Sequence, residues 1–170
     1  MKHDSGISLI ETILAMGITL ALGAVAFRLY AEAMEKTRRI RLQADVAEIE
    51  KRVNLEWAGR GWGAGTDAAR VKKLQGKGLD LTTPWGGEIS LSFSEGASGG
   101  AKALAWPFFG VEIPGLSRAR CIWAATVFAP GSICLSINSA SADCRKLPAE
   151  FLSACRESDD NRVLVRYRKG

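Results

Sequence analysis

The feature that most constrains this chain is an almost unbroken apolar run at residues 7–27, preceded by only six residues, Met1-Lys-His-Asp-Ser-Gly6. As a helix rising 1.5 Å per residue it covers about 31 Å, the thickness of a bilayer's hydrocarbon core. Nearly everything in it is apolar whereas the remainder of the chain is of mixed polarity, so the run predicts a membrane segment followed by an ordinary water-exposed body. The 170 residues suffice for one domain with a core of its own.

One residue is wrong for a plain anchor. Glu11 is the only charged residue between positions 7 and 27. An acidic side chain costs about 2.5–3.5 kcal/mol at the centre of a membrane helix and less near its ends, so such a residue generally has a partner and a task. Cleavage between Gly6 and Ile7 creates a new α-amino group four residues before Glu11, positively charged around neutral pH. In parallel, staggered copies this amine on one chain can meet Glu11 of a neighbour. At about 4 Å and an effective dielectric near 20 the attraction is about 4 kcal/mol, comparable with the cost of burying the carboxylate. An ordinary signal peptide would instead be cut after the apolar run, and Ala24 and Ala26 offer a loosely suitable end.

The string Gly6-Ile-Ser-Leu-Ile-Glu11-Thr-Ile-Leu resembles the class III signal of type IV pilins and the related pseudopilins: a glycine, an apolar residue, and glutamate fifth after the cut. The resemblance implies a leader at 1–6, cleavage after Gly6 by a membrane prepilin peptidase, and N-methylation of Ile7. Residues 7–27 would then be the transmembrane and polymerisation half of a long helix, and residues 28–170 a periplasmic, later extracellular, globular domain. The partners implied are further copies of the chain in a fibre, the peptidase, the inner membrane before assembly, and the pilus assembly machinery.

Helical character should continue over residues 28–57, which hold no Pro or Gly and are rich in Ala, Glu, Leu and Arg. Leu42, Val46, Ile49, Val53 and Trp57 recur at spacings of four and three, forming one apolar stripe for docking on the body. Gly17 and Gly23 admit two readings, close helix packing in the membrane or an easy site for partial unwinding. The glycine-rich string at 59–65 predicts a loop that ends the helix.

Beyond it, Thr82-Thr-Pro-Trp-Gly-Gly87 reads as a turn into a strand at 88–93, with Ile89, Leu91 and Phe93 on one face. This Pro-Trp-Gly-Gly entry resembles type IVb pilins, especially major subunits of the thin pili of plasmid conjugation. Residues 95–101 read as a hairpin connection. Residues 104–113 read as a strand that Pro107 demotes to an edge or a bulge. Pro114-Gly-Leu-Ser-Arg then leads into a helix with Cys121, Ala124, Ala125 and Phe128 on one face. Ile133, Leu135 and Ile137 alternate, placing Cys134 on the opposite side. A short helix after Pro148 presents Phe151, Leu152 and Cys155, and residues 162–168 close as a strand with Val163, Val165 and Tyr167 on one face. The expected class is α+β: a long N-terminal helix packed on an antiparallel sheet, with a C-terminal disulfide region.

All four cysteines lie in the last third, without a CxxC pair, and the one histidine is His3. Two disulfides in an oxidising compartment are therefore expected rather than a metal site. Cys121 with Cys155 and Cys134 with Cys144 is the favoured pairing, because Cys121 and Cys155 both sit on apolar helix faces and because this nesting resembles the pilin disulfide loop. Cys121 with Cys134 and Cys144 with Cys155 stays open.

The net charge of +5 is spread rather than blocked, with glutamates among the arginines at 38, 39 and 41, so no nucleic-acid partner is expected. No phosphate loop, zinc-protease pattern or nucleophile constellation occurs, and Asp159-Asp160-Asn161 lacks the remaining ligands of a calcium loop. No enzymatic activity and no cofactor are expected. The sequence reads as a fimbrial structural subunit for adhesion or conjugative contact; the alternatives are a minor pilin, a type II secretion pseudopilin, or a bitopic periplasmic binding protein.

Overall fold

The structure is a computed structural model and describes residues 9–63, 65–95, 107–138 and 153–170. Two compact units divide between Ile40 and Arg41. Helix α1 (Leu9–Glu56) supplies the described part of the first and opens the second.

In the second unit, Leu42, Val46, Ile49 and Val53 are each at most 1% exposed, so the apolar stripe read from the sequence is the docking face of α1. After α1 the chain turns through Gly59, whose φ of 67° is a conformation that glycine adopts without steric cost. A second helix, α2 (Asp67–Gln75), follows. It was not among the elements expected from the sequence. Thr66 caps it by accepting from Ala69 N at 3.3 Å, Asp67 lies in its first turn, and Lys72 and Lys73 lie in its last, all favourable to the helix dipole. It has only one fully buried residue, Leu74, so its periodic signal is faint.

Four antiparallel strands follow: β1 (Ser90–Ser94), β2 (Phe108–Leu116), β3 (Cys134–Ile137) and β4 (Asn161–Arg168), in spatial order β1-β2-β4-β3. Helix α3 (Arg118–Phe128) lies between β2 and β3 in the chain. The register aligns apolar side chains in rows across strands: Leu91, Val111, Val165 and Leu135; Ile113, Val163 and Ile137; Phe93, Phe109 and Tyr167. Strand alternation sends each row to one face. There they join the α1 stripe and Cys121, Ala124, Ala125 and Phe128 of α3 in a common core.

Two expectations need correction. The strand after Pro107 is not an edge strand: Pro107 precedes Phe108, and β2 pairs on both sides, with β1 and β4. Its bulge lies at Pro114-Gly115, within the strand rather than in the approach to α3. Pro114 lacks an N–H, Gly115 takes φ 70°, and the register slips between Ile113 and Leu116. All four residues of β3 are buried, Cys134 among them. The connection expected beyond Glu95, residues 104–106 of the expected strand, and Phe151 and Leu152 of the expected short helix lie outside the described residues.

Gly110 occupies the middle of β2 for a steric reason. A Cβ there would lie 2.6 Å from Ser92 Oγ and 3.0 Å from Leu164 Cδ1. The first is closer than real Cβ contacts come and the second is tighter than most, so a larger residue here would have to displace the Ser92 and Leu164 side chains.

Candidate assembly segment and the disulfide-tied body

Gly6 and Ile7 lie outside the described residues; Glu11 lies in the first turn of α1. An acidic group suits that position, because the N-terminal end of a helix carries the positive pole of its dipole. The surrounding surface is apolar. Ten large apolar residues between positions 9 and 27 are all more than half exposed, from Ile18 at 54% to Leu9 at 77%. Each such side chain gains about 1.5–3 kcal/mol on burial, so covering this surface with lipid or protein is favourable. The helix is long and apolar enough to cross a membrane.

Its polar groups are arranged for an apolar setting. Thr19 Oγ1 donates to Ala15 O at 2.8 Å, so the hydroxyl needs no water. The helix passes through Gly17 and Gly23 without a break. From Arg28 onward charged side chains join the surface beside exposed Leu29, Tyr30 and Ile40, and Glu35 pairs with Arg39 at 3.5 Å. In the second unit, Arg41 lies within 3.9 Å of Asp45 and 4.0 Å of Asp80. Burial raises Asp45 above the usual carboxylate range against the pull of Arg41, whereas hydrogen bonding from Thr82 holds Asp80 below it.

At the end of α1, Glu56 accepts from Lys73 at 2.7 Å and from Lys77. These hydrogen bonds, Lys73 first, hold its carboxyl at about 2. The last turn of α1 has no basic residue of its own, so the two lysines from α2 and the turn after it bring positive charge to the negative pole of the longer helix. Nearby, Trp57, Trp62, Phe93 and Phe109 stack edge to face or tilted at 5.1–6.3 Å, and Trp62 Nε1 donates to Ser94 O at 2.8 Å.

Cys121 on α3 and Cys155 form a disulfide, with Cα atoms 5.9 Å apart and both residues buried. This excludes the sequential pairing of Cys121 with Cys134. Cys134 is itself disulfide-bonded, and Arg166 Nη1 lies 3.4 Å from its sulfur. Cys144, its expected partner, lies outside the described residues.

Asn161, at the start of β4, is a residue whose role the sequence did not reveal. It is 1% exposed. Its Nδ2 lies 3.0 Å from Leu116 O, 3.0 Å from Arg156 O and 2.7 Å from Ser158 O. Its Oδ1 accepts from Arg156 N at 2.7 Å and Asn138 Nδ2 at 2.8 Å. One amide thus ties the ends of β2 and β3 to the segment that carries Cys155. Asn138 completes the arrangement from φ 52°, accepting from Arg162 N at 2.9 Å. Its only sequence signal was an asparagine after two aspartates, which reads as a turn.

No protein-family model matches the chain, and no curated protein matches it by sequence. Among solved structures, the crystal structure of type IVb pilin from Salmonella typhi matches it with a TM-score of 0.52 and 18% identity, over 78% of this chain and 96% of that one. The fold is that of a type IVb pilin. In this chain the fold is made of the long N-terminal helix, the four-stranded antiparallel sheet on which the later turns of that helix pack, and a disulfide near the C-terminus. On this pilin fold, the disulfide fastens the C-terminal region to α3 and Asn161 fastens it to the end of β2.

Proposed function

We propose that this chain is the structural subunit of a type IVb pilus. It is cleaved after Gly6 by a prepilin peptidase, N-methylated on Ile7, held in the bacterial inner membrane by residues 7–27, and then polymerised through that segment into an extracellular fibre. The disulfide-tied body coats the fibre, which serves adhesion or conjugative cell contact. The observation that carries this reading is the exposed apolar helix with Glu11 in its first turn, on a body with the pilin fold.

In the membrane the apolar side chains face lipid; in the fibre they face the same segments of other copies. Glu11 then serves registration. Within an apolar bundle its carboxylate is satisfied where it meets the α-amine of Ile7 on a neighbour, which fixes the axial stagger of the helices. Removing one member leaves the other charge buried alone, the costly outcome for an ion pair. Glu11→Ala should therefore leave cleavage after Gly6 intact and abolish most fibre formation, read by electron microscopy of sheared surface fibres and immunoblotting of the processed subunit. Wild-type fibre yield from that variant would contradict the proposed role.

A further inference from the structure

Cys134 and Arg166 stand directly opposite each other on β3 and β4, so their side chains share the face of the sheet turned away from the core. Arg166 Nη1 donates to Cys134 Sγ at 3.4 Å. The guanidinium also lies over the Phe108 ring at 5.8 Å, and no carboxylate pairs with it among the described residues. Glu112, one row along the same face, is taken by Ser90 and Arg162. Burial lowers Arg166 from its ordinary value, the mark of a cation partly withdrawn from water, where its field on a neighbouring sulfur is less screened.

The Cys121–Cys155 disulfide has other surroundings. It lies in the apolar core with Ala124, Ala125 and Phe128, and among the described residues no hydrogen bond reaches either sulfur. Arg118, three residues before Cys121, pairs with Glu157 instead. Exposure does not separate the two bonds, since Cys134 is 2% exposed, Cys121 0% and Cys155 3%. What differs is the cation. An arginine stabilises an adjacent thiolate, and a disulfide opens fastest where the departing sulfur is the better leaving group.

The geometry points to the disulfide of Cys134, with Cys144 as the partner expected for it, as a site of thiol–disulfide exchange with dithiol reductants, in which Cys134 leaves as a thiolate held by Arg166. The thiolate of the dithiol attacks the Cys144 sulfur, the S–S bond breaks, and its electron pair departs on Cys134. The second thiol of the reductant then attacks the mixed disulfide and releases Cys144. The reductant ends as a disulfide and the chain has gained two electrons; of the two protons lost by the reductant, one goes to Cys144 and the other to water while Cys134 stays ionised. The Cys121–Cys155 bond and the Asn161 amide are untouched, so the opened chain keeps its fold. The inference is independent of the fibre reading, because it concerns the folded body alone.

The test exposes the folded full chain in detergent micelles to dithiothreitol, quenches samples over time with iodoacetamide, and counts the label on each cysteine by peptide mass spectrometry. Cys134 and Cys144 should be labelled first, with Cys121 and Cys155 still protected and the fluorescence of Trp57 and Trp62 unchanged. Arg166→Met should slow opening about tenfold and move the pH profile of Cys134 alkylation in the reduced chain upward, whereas Arg166→Lys, which keeps the charge, should retain most of the rate. Simultaneous labelling of all four cysteines, labelling of Cys121 and Cys155 first, or an Arg166→Met chain that opens as fast as the wild type would overturn the inference. So would an Arg166→Lys chain as slow as Arg166→Met, which would assign the effect to side-chain shape rather than charge.

Discussion

Replacing Asn161 with alanine deletes an amide whose two N–H groups and one oxygen are shared among five neighbouring groups. A typical hydrogen bond contributes about 1 kcal/mol net, and a buried group left without a partner costs about 1–3 kcal/mol. The Leu116 carbonyl is the buried partner, while those at Arg156, Ser158 and Asn138 are partly buried and regain some water. The expected loss is therefore about 3–4 kcal/mol, a large share of the roughly 5–15 kcal/mol that holds a domain folded. Urea denaturation of the full chain in detergent micelles, followed by the fluorescence of the buried Trp57 and Trp62, measures it. With a slope near 2 kcal/mol per M the midpoint should fall by about 2 M. Asn161→Asp is the sharper companion. It keeps the acceptor for Arg156 N and Asn138 Nδ2 but turns a carboxylate toward the carbonyls of Leu116, Arg156 and Ser158. It should be at least as unstable as the alanine variant at pH 7 and recover partly in acid, where a protonated carboxyl can donate. A loss below about 1 kcal/mol in the alanine variant, or a wild-type midpoint in the aspartate variant, would refute the role of this amide as the fastener of the C-terminal region.

Removing the Cys121–Cys155 disulfide by Cys121→Ser with Cys155→Ser should cost about 4 kcal/mol from loop closure across its separation of 34 residues, visible as a lower urea midpoint under non-reducing conditions; an unchanged midpoint would show that Asn161 and the packing of α3 suffice without it. Glu56 should make the body acid-sensitive in a defined window. Because Lys73 and Lys77 hold its folded value at about 2 against the usual 4.5, its contribution is complete above about 4.5 and disappears as the pH falls toward 2. Glu56→Gln should therefore lower the urea midpoint at pH 7 and flatten its decline between pH 5 and 3; a decline as steep as that of the wild type would remove Glu56 from the cause.

The long helix and its docking stripe were legible in the sequence because a period of three to four over Leu42, Val46, Ile49 and Val53 has one structural solution. Ile89 and Leu91, or Val163 and Val165, likewise announce strands by alternation. The neighbours of each strand were not legible. β4, last in the chain, lies between β2 and β3, and nothing local in Asn161–Arg168 encodes partners so far away in sequence. Helix α2 escaped notice because nine residues with one buried leucine present too little apolar periodicity, although Thr66 and Asp67 formed a readable start. The weight given to Pro107 was misplaced for a simple reason. Proline disrupts a ladder only from within it, and Pro107 stands one residue before Phe108. Asn161 was hidden for the opposite reason, since a buried amide is defined by what surrounds it and its own neighbours in sequence describe only a turn.

The proposed fibre depends on a positive amine at Ile7 facing an acidic group on an adjoining helix, and intact-mass and terminal-peptide spectrometry of the subunit from surface fibres tests this most directly. The account predicts a chain that begins at Ile7, carries one methyl group on its α-nitrogen and retains Glu11. A subunit that begins at Met1, or one cut after the apolar run so that Glu11 is lost, would contradict it.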